Sequence, residues 1–122
     1  MNRLLYVEDN ELLREVTTLA LESAGYDVVQ AGNGVQACAL LEGEGFDYVV
    51  SDISMPGGVT GLEVAVAAQQ ARPGCRTILV SGYARSQLPE LPANAHLLAK
   101  PYMVRDLVAA LDAPSAGNAP AA

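Results

Sequence analysis

Glu8 and Asp9 stand side by side, Asp52 follows the run Tyr48-Val49-Val50-Ser51, Ser81 follows Arg76-Thr77-Ile78-Leu79-Val80, and Lys100 precedes Pro101. Three carboxylates, a hydroxyl and an ammonium are the groups a site needs to hold a divalent cation and a phosphoryl oxygen together. Two unit charges roughly 4 Å apart repel by about 4 kcal/mol at an effective dielectric near 20, so three gathered carboxylates need a cation or Lys100 as compensation unless some of them stay protonated. Oxygen-only ligands with open positions suit Mg2+, which keeps several waters and binds through carboxylates plus a phosphate oxygen. Each residue also has a plainer role. Glu8 and Asp9 can be first-turn acids favoured by a helix dipole, Asp52 a turn residue, Ser81 a loop hydroxyl and Lys100 a solvated charge. The chemistry depends on whether the fold brings them together.

The flanking segments indicate that it does. Short β-rich apolar runs alternate with helical stretches, beginning with a strand over 3–8 that stops at the acidic pair. Asn10 can cap a helix running to about Ala24, with Gly25 as its stop. Leu13, Val16, Ala20 and Ala24 recur at helical spacing as its expected buried face, with Leu12, Glu15 and Leu19 on an offset side that either meets a partner or widens the core. Further strands are expected over 27–31, 46–51, 76–80 and 96–99, and helices over 34–42, 60–71 and 102–111. Pro89 and Pro92 leave at most a turn of helix between Tyr83 and Ala95. This alternation predicts an α/β, doubly wound, five-stranded parallel sheet with right-handed crossovers. Ligands of such sheets bind outside the carboxyl ends of the strands, where all five chemical residues fall.

Composition bounds the rest. The chain has 122 residues, 14 acidic against 7 basic, a formal charge of -7 and 51% hydrophobic residues. That is one domain over 2–112, able to bury a core without disulfides, followed by a flexible Ala/Pro tail over 113–122. Cys38 and Cys75 lack C-x-x-C spacing and read as reduced thiols. The dispersed basic residues argue against nucleic acid. No run is long enough for a membrane span or a signal-peptide core, so a cytoplasmic protein is expected. Ser81 lacks the G-x-S-x-G elbow of a serine hydrolase, and the single histidine, His96, reads as structural. A phosphohydrolase with an aspartate nucleophile would want an acid where Ser54 stands. No glycine-rich loop follows the first strand to cradle a nucleotide.

As an ordered set, Glu8-Asp9, Asp52 with Met55-Pro56, Gly61-Leu62, Val80-Ser81-Gly82-Tyr83-Ala84 and Lys100-Pro101-Tyr102 resemble the receiver domain of two-component response regulators over residues 2–111. The resemblance implies the strand order 2-1-3-4-5, known from chemotaxis receivers. It implies that a histidine kinase or histidine phosphotransfer protein passes a phosphoryl group to Asp52. It further implies Mg2+ held by Glu8, Asp9, Asp52 and the backbone carbonyl of Ser54, with Ser81 as the switch hydroxyl and Lys100 neutralising the phosphoryl charge. Such a domain is a signalling phosphoacceptor that promotes its own phosphorylation and dephosphorylates slowly, as a monomer or weak dimer. Partner helices of the family dock on the first helix and the loop after Lys100-Pro101.

Three features depart from the family pattern. Leu97 stands where an inward-moving aromatic is usual, which leaves Tyr83 either to cover the acyl phosphate or simply to pack on its loop. The loop 57–61 is longer than common and resembles receivers attached to hybrid histidine kinases. The stretch 83–95 is short, so the fourth helix is short or missing. Met1 and the absence of an effector segment favour a single-domain receiver over a fragment. A phosphorylation-independent binding module is the alternative, against which the intact acidic set and Lys100 argue.

Overall fold

The computed structural model describes residues 2–54, 58–82, 91–92 and 95–112. Its strands are β1 (Arg3–Val7), β2 (Asp27–Ala31), β3 (Tyr48–Asp52), β4 (Arg76–Ser81) and β5 (Ala95–Ala99). All pair in parallel in the order β2-β1-β3-β4-β5. The described helices are α1 (Glu11–Ser23), α2 (Gly34–Gly43), α3 (Gly61–Ala71) and α4 (Val104–Asp112).

The period-2 alternation of strands divides the core between the two faces of the sheet. Leu5 and Val7 of β1 meet Val49, Leu41 and Val64 on the side of α2 and α3. Leu4 and Tyr6 meet Val50, Ile78, Leu21 and Leu107 on the side of α1 and α4. Burial of each such aliphatic chain contributes about 1.5–3 kcal/mol before the entropy of ordering is counted. Helix starts are set by side chains that satisfy free N–H groups. Asn10 accepts from Leu13 N at 3.0 Å and Asn33 from Gln36 N at 2.8 Å. Thr60 and Glu63 form a reciprocal capping box. Gly25, with φ +103°, turns the chain out of α1 in a conformation that side chains disfavour.

The expected inner face of α1 is wrong. Leu13 and Val16 are 40% and 55% exposed, Ala24 is exposed and Ala20 only half-buried. Thr17, Thr18 and Leu21 face the sheet instead. The periodic apolar residues mark one side of the helix, but threonine also carries a methyl group, and the helix is rotated so that Thr17, Thr18 and Leu21 are its buried residues. The third strand starts at Tyr48 rather than Phe46, because Asp47 accepts Arg3 N at 3.0 Å and Phe46 is already in the core. The last helix starts at Val104, where Asp106 accepts Met103 N at 3.0 Å. The expected turn of helix after Tyr83 and the tail over 113–122 lie outside the described residues. No helix among the described residues is long and apolar enough to cross a membrane.

Candidate functional site

Register puts the chemical residues at one edge. Val7 pairs with Ser51, Asp52 with Val80 and Ser81 with Ala99, so the residues that end β1, β3, β4 and β5 emerge at similar heights. Glu8 and Asp9 lie on the link from β1 to α1. Glu8 N donates to Ala31 O at 3.1 Å, and Asn10 N donates to Glu8 Oε2 at 3.0 Å. Ile53 N donates to Val80 O at 3.0 Å, holding the chain beyond Asp52 against β4. Gly61 N donates to Ile53 O at 2.9 Å, and a Cβ at Gly61 would stand 2.3 Å from the Asp52 carbonyl oxygen. Only glycine lets α3 begin so close to that backbone.

The structure brings together one carboxylate oxygen each of Glu8, Asp9 and Asp52, all within 4.8 Å of one another. Glu8 and Asp52 are 5% and 7% exposed, whereas Asp9 faces solvent. Lys100 Nζ donates to Asp52 Oδ2 and forms an ion pair with it. Lys100 N donates to Ser81 O at 2.8 Å, which fastens the end of β5 to that of β4. Ser81 is buried at that end. Ser54 is exposed two residues beyond Asp52. Met55, Pro56, Gly57 and Tyr83 lie outside the described residues. His96 sits half-buried in β5, and neither cysteine belongs to the cluster.

Electrostatics follow the crowding. Burial, with additions from Asp9 and Asp52, holds the Glu8 carboxyl above the usual carboxylate range, while the Asn10 N–H opposes the shift. Burial draws the Lys100 ammonium down, but the bond and charge of Asp52 and the charge of Glu8 outweigh it, so its proton is held more tightly than usual. Three oxygen donors without nitrogen or sulfur suit a hard cation. Glu8, Asp9 and Asp52 would hold such a cation, whose charge would offset their mutual repulsion.

Two features escape the motif reading. Arg14 Nη1 donates to the Glu8 carbonyl at 2.7 Å; an arginine one turn beyond an N-cap is the sequence signal. Leu13, Val16, Thr17, Pro101, Tyr102 and Val104, with Lys100, line a groove of about 560 Å³ between α1 and the link from β5 to α4. Leu12 and Leu19 are 72% and 66% exposed on α1, so the expectation that they widen the core does not hold.

A doubly wound parallel sheet with paired acids, an aspartate and a lysine gathered at its carboxyl edge places this chain among α/β domains whose chemistry sits at the strand ends. The model of the response regulator receiver domain matches residues 4–112, and the chain belongs to that family. It is 36% identical over 111 residues to the response regulator receiver protein CpdR of Brucella abortus, covering 88% of this chain and 92% of that protein. It is 37% identical over 108 residues to the sensor kinase CckA of the same organism, covering 84% of this chain but 11% of that protein. The response regulator protein TrrA of Thermotoga maritima, in complex with Mg2+ and BeF, superposes with a TM-score of 0.78 at 31% identity, covering 91% of this chain and 96% of that one. TrrA in complex with the histidine kinase ThkA gives a TM-score of 0.76 at 28% identity and the same coverage.

Proposed function

We propose that Asp52 is the acceptor of a phosphoryl group delivered by the phosphohistidine of a histidine kinase or a histidine phosphotransfer protein. The observation that carries this reading is the meeting of Glu8, Asp9 and Asp52 oxygens within 4.8 Å, with Lys100 paired to Asp52. In the transfer, an Asp52 carboxylate oxygen bonds to phosphorus. The phosphorus–nitrogen bond to the partner's imidazole breaks, and its electron pair stays on the ring nitrogen. Lys100 shifts its donor from Asp52 to a phosphoryl oxygen, and the Ser81 hydroxyl donates to another. Glu8, Asp9, Asp52 and the Ser54 carbonyl would hold Mg2+, which supplies positive charge against the phosphoryl oxygens when bound. The complex of TrrA with Mg2+ and BeF supports Mg2+ as the cation.

The receiver unit spans 2–112 and acts in the cytoplasm as a monomer or weak dimer. The acyl phosphate on Asp52 is then lost slowly by autodephosphorylation. The partner's helix docks in the groove between α1 and Tyr102, whose apolar lining suits such a helix; the complex of TrrA with the histidine kinase ThkA supports a kinase as the partner. Intact mass after incubation with Mg2+ and acetyl phosphate tests the central assignment. Wild type gains one phosphoryl group and Asp52→Asn gains none; undiminished labelling of that variant overturns it.

A further inference from the structure

The link that carries Glu8 and Asp9 is short, and its usefulness depends on how firmly its backbone is held. A peptide unit is planar, so holding the Glu8 carbonyl restrains the plane shared with Asp9 and with it ψ of Glu8 and φ of Asp9, two of the angles that aim the acids. Arg14 fixes that carbonyl. Its Nη1 donates to Glu8 O at 2.7 Å, and its Nε donates to Gln30 Oε1 on β2 at 3.2 Å. The same residue is tied on its other side, since Glu8 N donates to Ala31 O. The acid pair is therefore clamped between α1 and β2, with Arg14 as the crosspiece.

Both acceptors of Arg14 are uncharged, and among the described residues no salt bridge joins it to a carboxylate. The guanidinium is a planar fork that can serve two acceptors in fixed relative positions; an ammonium is a point donor on a flexible stem. Geometry, beyond charge alone, is what the arginine contributes here.

We propose that Arg14 is a positioning residue for divalent-cation binding, holding the Glu8-Asp9 peptide so that both carboxylates address the same ion as Asp52. This rests on the reading that these acids hold Mg2+. Partners that orient metal ligands typically change metal affinity by about 10- to 100-fold when removed. Mg2+ titrations of the full chain, followed by the amide NMR shifts of Asp9 and Asp52, test the proposal. They are paired with the Mg2+ dependence of acetyl phosphate labelling.

Arg14→Ala is expected to raise the half-saturating Mg2+ concentration about tenfold, at the lower end of that range. Labelling at saturating Mg2+ should approach the wild-type rate. Arg14→Lys, which keeps the charge without the fork, should fall between the two, and Gln30→Ala should shift in the same direction by less. A role confined to folding would reduce the folded fraction and the melting temperature without moving the half-saturation of the molecules that remain folded. If Arg14→Ala does not fold, Arg14→Lys decides by the same titration. Wild-type affinity in the folded Arg14 variants overturns the proposal. Failure of wild type itself to bind Mg2+ is a separate result, which overturns the reading of the site and this inference with it.

Discussion

Lys100 reaches across the end of β4 to donate to Asp52, joining β5 to β3, strands that are not neighbours in the sheet. The carboxylate is almost wholly buried and the lysine half-exposed, so one end of the pair stays fixed while the other can follow a charge that arrives. Replacing the ammonium removes a donor aimed at the place where phosphoryl charge accumulates. Lys100→Ala should slow acetyl phosphate labelling of Asp52 by about two orders of magnitude, as loss of an oxyanion donor does elsewhere. An intact-mass time course measures it; an unchanged rate would remove Lys100 from the transfer step.

Glu8 gives a test of electrostatic crowding. Its carboxyl titrates above the ordinary glutamate value of 4.5, chiefly because it is buried. The stability it contributes to the metal-free chain is therefore complete below that ordinary value and is lost as pH rises through the raised one. In chelator at neutral pH, Glu8→Gln should melt higher than wild type, on the order of a few degrees. The advantage should shrink as the pH falls toward the ordinary glutamate value. Mg2+ should raise the melting temperature of wild type and do little for the variant. Melting curves across pH, with and without Mg2+, check both signs.

The exposed α1 leucines separate docking from folding. Leu12→Glu with Leu19→Glu should alter stability by no more than about 0.5 kcal/mol per site, since both residues are well exposed. Transfer from a phosphohistidine partner should slow while acetyl phosphate labelling stays at the wild-type rate. Equal loss in both assays would place these leucines in the fold after all.

Gly61 is the steric counterpart. Adding a methyl group there forces α3 away from the Asp52 carbonyl, and Gly61→Ala should cost about 1–3 kcal/mol, the usual range for overpacking. Because the displaced backbone belongs to the acceptor, labelling should slow as well. Thermal melting and the labelling time course would show an unaltered protein if the contact relaxes freely.

The strand ends were legible because each chemical residue directly follows an apolar run whose length and composition identify a buried strand. Register in a parallel sheet then leaves little choice about where Asp52, Ser81 and Lys100 emerge. The rotation of α1 was not legible: Leu13 and Val16 are apolar and Thr17 and Thr18 are not, yet the threonines are the buried pair, Thr17 against Tyr6. Hydrophobic spacing identifies an apolar side but not whether the sheet or something outside the chain covers it. Arg14 was hidden for another reason. Its partner is a backbone carbonyl, and every residue has one, so no pattern of residue types announces the contact.

Consider what the placement of α1 allows over evolutionary time. Thr17, Thr18 and Leu21 are pinned by the sheet, whereas Leu12, Leu13, Val16 and Leu19 on the same helix carry little of the core. Substitutions in the second group can accumulate at small cost in stability while the first group and the acids at the helix entrance stay fixed. A duplicated copy of such a gene could thus drift to a new upstream donor, and lose cross-talk with the old one, without passing through an unfolded intermediate sequence.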